Sequence, residues 1–212
     1  ATGNNGKYDP TKKDIMKSVG EQSTDPKSTP ATSRASLVTA FGERVVRELE
    51  KKGLLHIGQS LADAIDKAAE MHVAKHGGDV DVVRASLLSQ ADVKYSSDGQ
   101  IQGFYMPSVG ASFLIADNVS AADMPAVALH EIGVHMASDS KDAKIAGQMA
   151  KLHKRAAFML KSGKGNKFFD GVNQRLADAG ETSPEEQAAY LVEAAKKAKD
   201  AAPSSVKQWL KD

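Results

Sequence analysis

The chain of 212 residues is long enough for one domain with a tail, or for two small ones. Its 41% hydrophobic and 26% charged residues read as an ordinary soluble globular protein, and a net charge of +1 excludes a broad electrostatic pull toward nucleic acid or an anionic membrane. The absence of cysteine excludes disulfides and thiolate metal ligands, so any metal falls to His, Asp or Glu.

In chain order, residues 1–35 are rich in Gly, Asn, Ser, Thr, Pro and Lys, with little apolar surface beyond Tyr8, Ile15, Met16 and Val19. Such a segment does not offset its ordering entropy by burial, so a flexible linker or arm is expected there, ahead of a domain over 36–212. A start at Ala1 rather than Met fits a processed form or a piece of something longer. Leu37, Val38, Phe41, Val45 and Leu49 then recur at helical spacing, with Gly53 as the stop. Residues 54–59 are a short apolar run and read as a strand. Ser60 opens a second helix carrying Leu61, Ile65, Ala69 and Val73, ended by Gly77 and Gly78. Residues 79–95 fit a helix or a strand.

Residues 101–106 and 111–116 flank Pro107-Ser108-Val109-Gly110 and predict a hairpin. Ser120 with Asp123 marks a helix entry, and 126–137 reads as an apolar helix. Another helix carries Ile145, Met149, Leu152, Ala156 and Leu160 and stops near Gly163-Lys164-Gly165. The last strong helix runs from Ser183-Pro184-Glu185-Glu186 to about Lys199; Pro203 breaks it, and an amphipathic tail with Trp209 and Leu210 follows. Helices dominate and a small sheet precedes the central helix, which is an α+β order. No apolar run approaches the roughly 18 residues of a membrane span.

The chemistry concentrates in His130-Glu131-Ile132-Gly133-Val134-His135. A zinc peptidase needs two neutral imidazoles, a carboxylate ligand, an open position for water, and a carboxylate base to take the water's proton. In the usual H-E-x-x-H motif the two histidines lie four apart on one helical face. Here they lie five apart, about 140° around a regular helix. They converge only if the helix holds an extra residue, as in a π-turn, and Gly133 between them tolerates irregular backbone. The competing reading is a core histidine with a hydrogen-bonded partner. A second pair, His72 and His76, has regular i, i+4 spacing but no Glu after His72, and it sits at a Gly-terminated helix end. His56 and His153 read as packing or surface residues.

A downstream carboxylate is needed as third ligand. Glu186, Tyr190 and Glu193 share one helical face. Glu186 also fits the N3 position of a capping box with Ser183. Glu193 reads either as ligand or as a residue holding a ligand histidine from behind. Tyr190 reads as a donor to a developing oxyanion or as a core aromatic.

Taken together, Gln102-Gly103-Phe104-Tyr105-Met106-Pro107, Phe113-Leu114-Ile115-Ala116-Asp117-Asn118, Leu129 to His135, and Glu185-Glu186 followed by Ala189-Tyr190-Leu191-Val192-Glu193 resemble the zincin-like metallopeptidase domain of phage and mobile-element polyvalent proteins. The resemblance covers roughly residues 100 to 195. It implies a long multi-domain chain delivered into a host cell with DNA, hence a virion or host-cytoplasm location. It also implies a zincin core whose hairpin strand forms the edge over the active-site helix, where extended peptides bind by strand addition. The His-Glu-x-x-x-His spacing is similar to that of the dipeptidyl peptidase III family. There the second Glu of a downstream Glu-Glu pair is the third ligand, which implies Glu186; the glycine lies one position earlier here.

The leading expectation is zinc-dependent hydrolysis of a peptide or protein substrate, with His130, His135 and Glu186 as ligands and Glu131 as general base. The alternatives are a catalytically degenerate zincin-fold binding module and a metal-dependent hydrolase of another substrate. No nucleic-acid or membrane partner is expected.

Overall fold

The computed structural model describes residues 14–21, 27–91 and 99–210. Strands β1 (Met16–Glu21), β2 (Leu55–Gly58), β3 (Gly99–Met106) and β4 (Ala111–Ile115) form one mixed sheet in the order β1-β3-β4-β2. β3 pairs antiparallel with β1 and β4, and β2 runs parallel to β4. The expected hairpin is present: Gly110 N–H donates to Met106 O at 2.8 Å, and Gly110 takes φ 74°, a conformation that favours glycine. The class is α+β and mostly helical, as the element order predicts.

The helices are α1 (Pro30–Phe41), α2 (Glu43–Lys51), α3 (Leu61–His76), α4 (Val80–Ala91), α5 (Met124–Ala128), a π-helix (Leu129–Met136), α6 (Ala143–Ser162), α7 (Lys167–Asp178), α8 (Pro184–Ala198) and α9 (Ser204–Trp209). Ser60 opens α3 as expected, and the structure adds a capping box there, with Ser60 and Asp63 bonded in both directions. The single helix expected over 37–49 is two, because Gly42 at φ 88° breaks it. Residues 80–91 settle as helix; the rest of 79–95 beyond Ala91 lies outside the described residues.

Alternation along the strands sends side chains to two cores. Phe104, Met106, Phe113 and Ile115 pack with Ile65, Ala68 and Leu87 of α3 and α4. The Phe104 and Phe113 rings stack with centroids 4.8 Å apart, worth about 0.5–1.5 kcal/mol beyond burial. On the opposite face, Leu114 meets Leu37, Val46, Met124 and Val127. A Cβ on Gly103 would stand 3.1 Å from Val127 and 3.0 Å from Phe113 O, so glycine lets α5 lie close against the sheet. Tyr105, on that same face, donates to Asp139 at 2.7 Å and ties β3 to the end of the π-helix. A third core joins α6, α7, α8 and α9 around Leu160, Leu176, Leu191 and Trp209.

Three expectations change. The arm expected over 1–35 is in part folded: residues 16–21 are strand β1, and Pro30 starts α1 behind a Thr29 capping box. Ile15 and Val19 are buried, and Lys17 reaches Gln90 O at 2.8 Å. A six-residue strand laid on a formed neighbour needs few apolar residues of its own, and a polar composition averaged over 35 residues hides it. Residues 1–13 and 22–26 lie outside the described residues. Second, the hairpin is not a sheet edge: β3 and β4 are central, and β1 and β2 are the edges. Third, α7 was unanticipated, although Asn166 caps it and Phe169, Val172 and Leu176 form its buried stripe.

The turn into α7 is tight. A Cβ on Gly163 would lie 2.3 Å from the Phe169 ring and 2.8 Å from Met159 O. Gly163→Ala is therefore expected to destabilise the protein by about 1–3 kcal/mol through overpacking. Urea unfolding measures this, and an unchanged midpoint would mean the turn yields freely. Among the described residues, no helix is long and apolar enough to cross a membrane.

Candidate metal centre

The five-residue spacing of the two histidines finds its explanation in the backbone. Residues Leu129–Met136 form a π-helix, whose i→i+5 repeat puts positions five apart on one face. Gly133 lies inside it at a negative φ, and a Cβ added there would come no nearer than ordinary van der Waals contact with Leu129. The His130 and His135 rings come to 5.0 Å between centroids. The π-helix crosses beneath the sheet and packs along α8.

Helix α8 brings the carboxylates. Glu186 Oε2 lies 3.5 Å from Nε2 of His130 and 3.5 Å from Nε2 of His135. The three ligand atoms all lie within 4.8 Å of one another, and this is the one such group among the described residues. Ser183 Oγ does accept from Glu186 N–H at 3.1 Å, as a cap should, but the Glu186 carboxylate turns to the histidines. Half of the expected capping box is thus present: Ser183 caps the Glu186 N–H, while the Glu186 side chain faces the histidines instead of bonding back to Ser183.

The ring nitrogens on the far side are engaged. His130 Nδ1 contacts Glu193 Oε2 at 3.1 Å, and His135 Nδ1 contacts Glu185 Oε1 at 2.8 Å. An ionised carboxylate only accepts, so each Nδ1 carries the hydrogen and each Nε2 is turned toward Glu186. Glu193 therefore takes the position behind a ligand histidine rather than that of the third ligand. Glu185 does the same for His135, a role missed in the sequence, where its only signal is adjacency to Glu186.

The Nε2 atoms of both histidines and Glu186 Oε2 are buried without a hydrogen bond. Three such atoms in one place are costly unless something binds them. Zinc bonds N and O donors at about 2.0–2.2 Å, and a tetrahedron of that size has edges of about 3.3–3.6 Å. Both histidine-to-Glu186 separations, at 3.5 Å, match such an edge. The three residues could hold a metal ion.

The electrostatics agree. Burial disfavours charge on His135, yet Glu185 and Glu186 outweigh it and raise its pKa to about 10. His130 is likewise raised against its burial, by Glu186 and Glu193. Burial pushes the Glu186 carboxyl up, and the two histidines more than reverse this, holding it at about 2. The surrounding carboxylates thus favour positive charge at the two histidines. Glu131 is fully buried and its charge raises both histidines, which places it within electrostatic reach of both.

Tyr190 stands apart from its expected catalytic role. Its ring is fully buried, edge-on to His130 at 4.9 Å, and its hydroxyl accepts from Val19 N–H at 3.2 Å. This is the environment of a core tyrosine. His72 and His76 serve the hairpin turn: His72 Nδ1 meets Ser108 Oγ at 3.1 Å and His76 Nε2 meets Ser108 O at 2.8 Å. His56 stacks on Phe113, and His153 bonds Ser138, both as packing residues. Compared with protein-family models, curated proteins and solved structures, the chain finds no match.

Proposed function

We propose that this protein is a zincin-like zinc peptidase, with His130, His135 and Glu186 as metal ligands and Glu131 as general base. The observation that carries this reading is the convergence of three buried side-chain atoms without hydrogen bonds, all within 4.8 Å of one another, from a π-helix and α8. Three protein ligands rather than four is the count of a catalytic site, which keeps one position open. Zinc supplies Lewis-acid polarisation, which makes water a nucleophile near neutral pH. The chain's own residues do the rest. Glu193 and Glu185 hold the histidine rings in the ligating tautomer. Glu131, one residue from His130, accepts the water's proton and returns it to the leaving amine. The sequence resemblance supports a peptide or protein substrate and a place within a longer phage-delivered chain.

One observation favours a second reading. His130, Glu131 and His135 are at most 1% exposed, which suits a metal that braces a binding module. Elemental analysis comes first. Wild type and Glu131→Gln are expected to hold about one zinc per chain, and His130→Ala none. A wild type that holds no zinc and cannot be loaded overturns both readings.

A further inference from the structure

Behind the metal ligands, one guanidinium joins two parts of the chain that are far apart in sequence. Arg175 of α7 donates from Nη2 to Glu193 Oε1 at 2.8 Å and to Val19 O of strand β1 at 3.1 Å. The same group lies 4.9 Å over the Tyr190 ring, and the Tyr190 hydroxyl accepts from Val19 N–H at 3.2 Å. Both polar atoms of Val19 are thus used by side chains of α7 and α8, next to the point where the β1–β3 register shifts. On the other side, Glu193 Oε2 contacts His130 Nδ1 at 3.1 Å, and the Tyr190 ring packs edge-on to His130. The route from strand to ligand is therefore short: Val19, Arg175, Glu193, His130.

We propose that Arg175 is a positioning residue that links the docking of strand β1 to the metal affinity of the site. One planar fork holds the Glu193 carboxylate and the Val19 carbonyl together, so each fixes the other through it. With β1 docked, Glu193 is held where it orients His130 for ligation. With β1 displaced, Arg175 loses its bond to Val19 and Glu193 is held less firmly. Linkage then requires the converse: metal at the histidines holds β1 more tightly on the sheet. Lys197 also reaches Glu193 Oε1, at 2.7 Å, from one turn further along α8. It supplies charge to the carboxylate without touching Val19 in this network, and it therefore separates charge from coupling.

This inference rests on the metal reading above, and the experiment keeps the two apart. Cobalt affinity is measured by absorption titration of the full chain, and amide hydrogen exchange at Val19 is followed with and without cobalt. Wild type is expected to bind cobalt and to slow exchange at Val19 on loading. Arg175→Met is expected to bind about 10–100-fold more weakly and to lose the cobalt-dependent protection of Val19. Lys197→Met, which removes charge alone, keeps that protection, and Arg175→Lys recovers part of the affinity. Circular dichroism confirms that each variant is folded; if Arg175→Met does not fold, Arg175→Lys alone decides, by weakened protection at Val19. Cobalt bound by wild type, with affinity and Val19 protection unchanged in the Arg175 variants, overturns this inference and leaves the metal reading standing. A wild type that takes up no cobalt overturns both.

Discussion

Replacing Glu131 with Gln is expected to lower peptide hydrolysis by about 10²–10⁴-fold while the zinc stays bound. Gln matches Glu in size and hydrogen-bonding reach but does not accept a proton from water at neutral pH. Glu131 is fully buried, directly beside His130, and its charge is felt by both histidines. In the proposed site Glu186 supplies the ligand carboxylate, so the metal is expected to lose no bond on this change. The comparison requires equal zinc occupancy in both proteins and a mixed fluorogenic peptide library as substrate. Equal turnover by the two would remove Glu131 from the chemistry. A fall that tracks lost zinc would make it a ligand instead.

The largest stability effect is expected at Glu193. Its carboxylate is fully buried and serves His130, Arg175 and Lys197 together. Burial pushes this carboxyl up, and Arg175, His130 and Lys197 outweigh that, holding it well below the usual carboxylate range. Glu193→Ala strands the His130 Nδ1–H in the core and leaves two cations facing each other. Breaking a buried pair in this way costs about 3–5 kcal/mol. The lower end of that range is expected, because Arg175 and Lys197 remain 25% and 27% exposed and can turn to water. Urea unfolding in the presence of a chelator isolates this term from metal binding. A loss below about 1 kcal/mol would show that the network contributes little to the fold.

The parts of this protein that read well from sequence are those with a local cause. The start of α3 is written in Ser60, and the hairpin in the turn between Met106 and Ala111. A distortion of the central helix was also legible, because five-residue spacing requires one if the two histidines share a target; the structure shows that it takes the form of a π-helix. What did not read is what depends on distant partners. Strand β1 is held by β3, Tyr190 and Arg175, none of which lies near it in sequence. β3 and β4 are central because β1 covers the β3 side of the hairpin and β2 the β4 side. Glu185 was passed over because two adjacent glutamates differ in role only through which ring nitrogen each meets. Arg175 belongs to no motif; its task comes from the packing of α7 against α8.

The order of the chain also sets the order in which the site can be assembled during synthesis. Strand β1 leaves the ribosome first, but Met16 pairs with Tyr105, so it waits unpaired until the hairpin is made. The two histidines follow, and the carboxylates of α8 come last. A nascent chain that has not yet reached Pro184 presents two imidazoles with no carboxylate from α8 between or behind them. Its helices α6 and α7 have at that stage no α8 to close their core. On the proposed reading, metal capture and closure of the C-terminal core fall in the same late step, after which β1 can lock to Arg175. An ion that binds only then reports that synthesis has passed α8 and that this core has folded, and a product cut short before Pro184 carries no such mark.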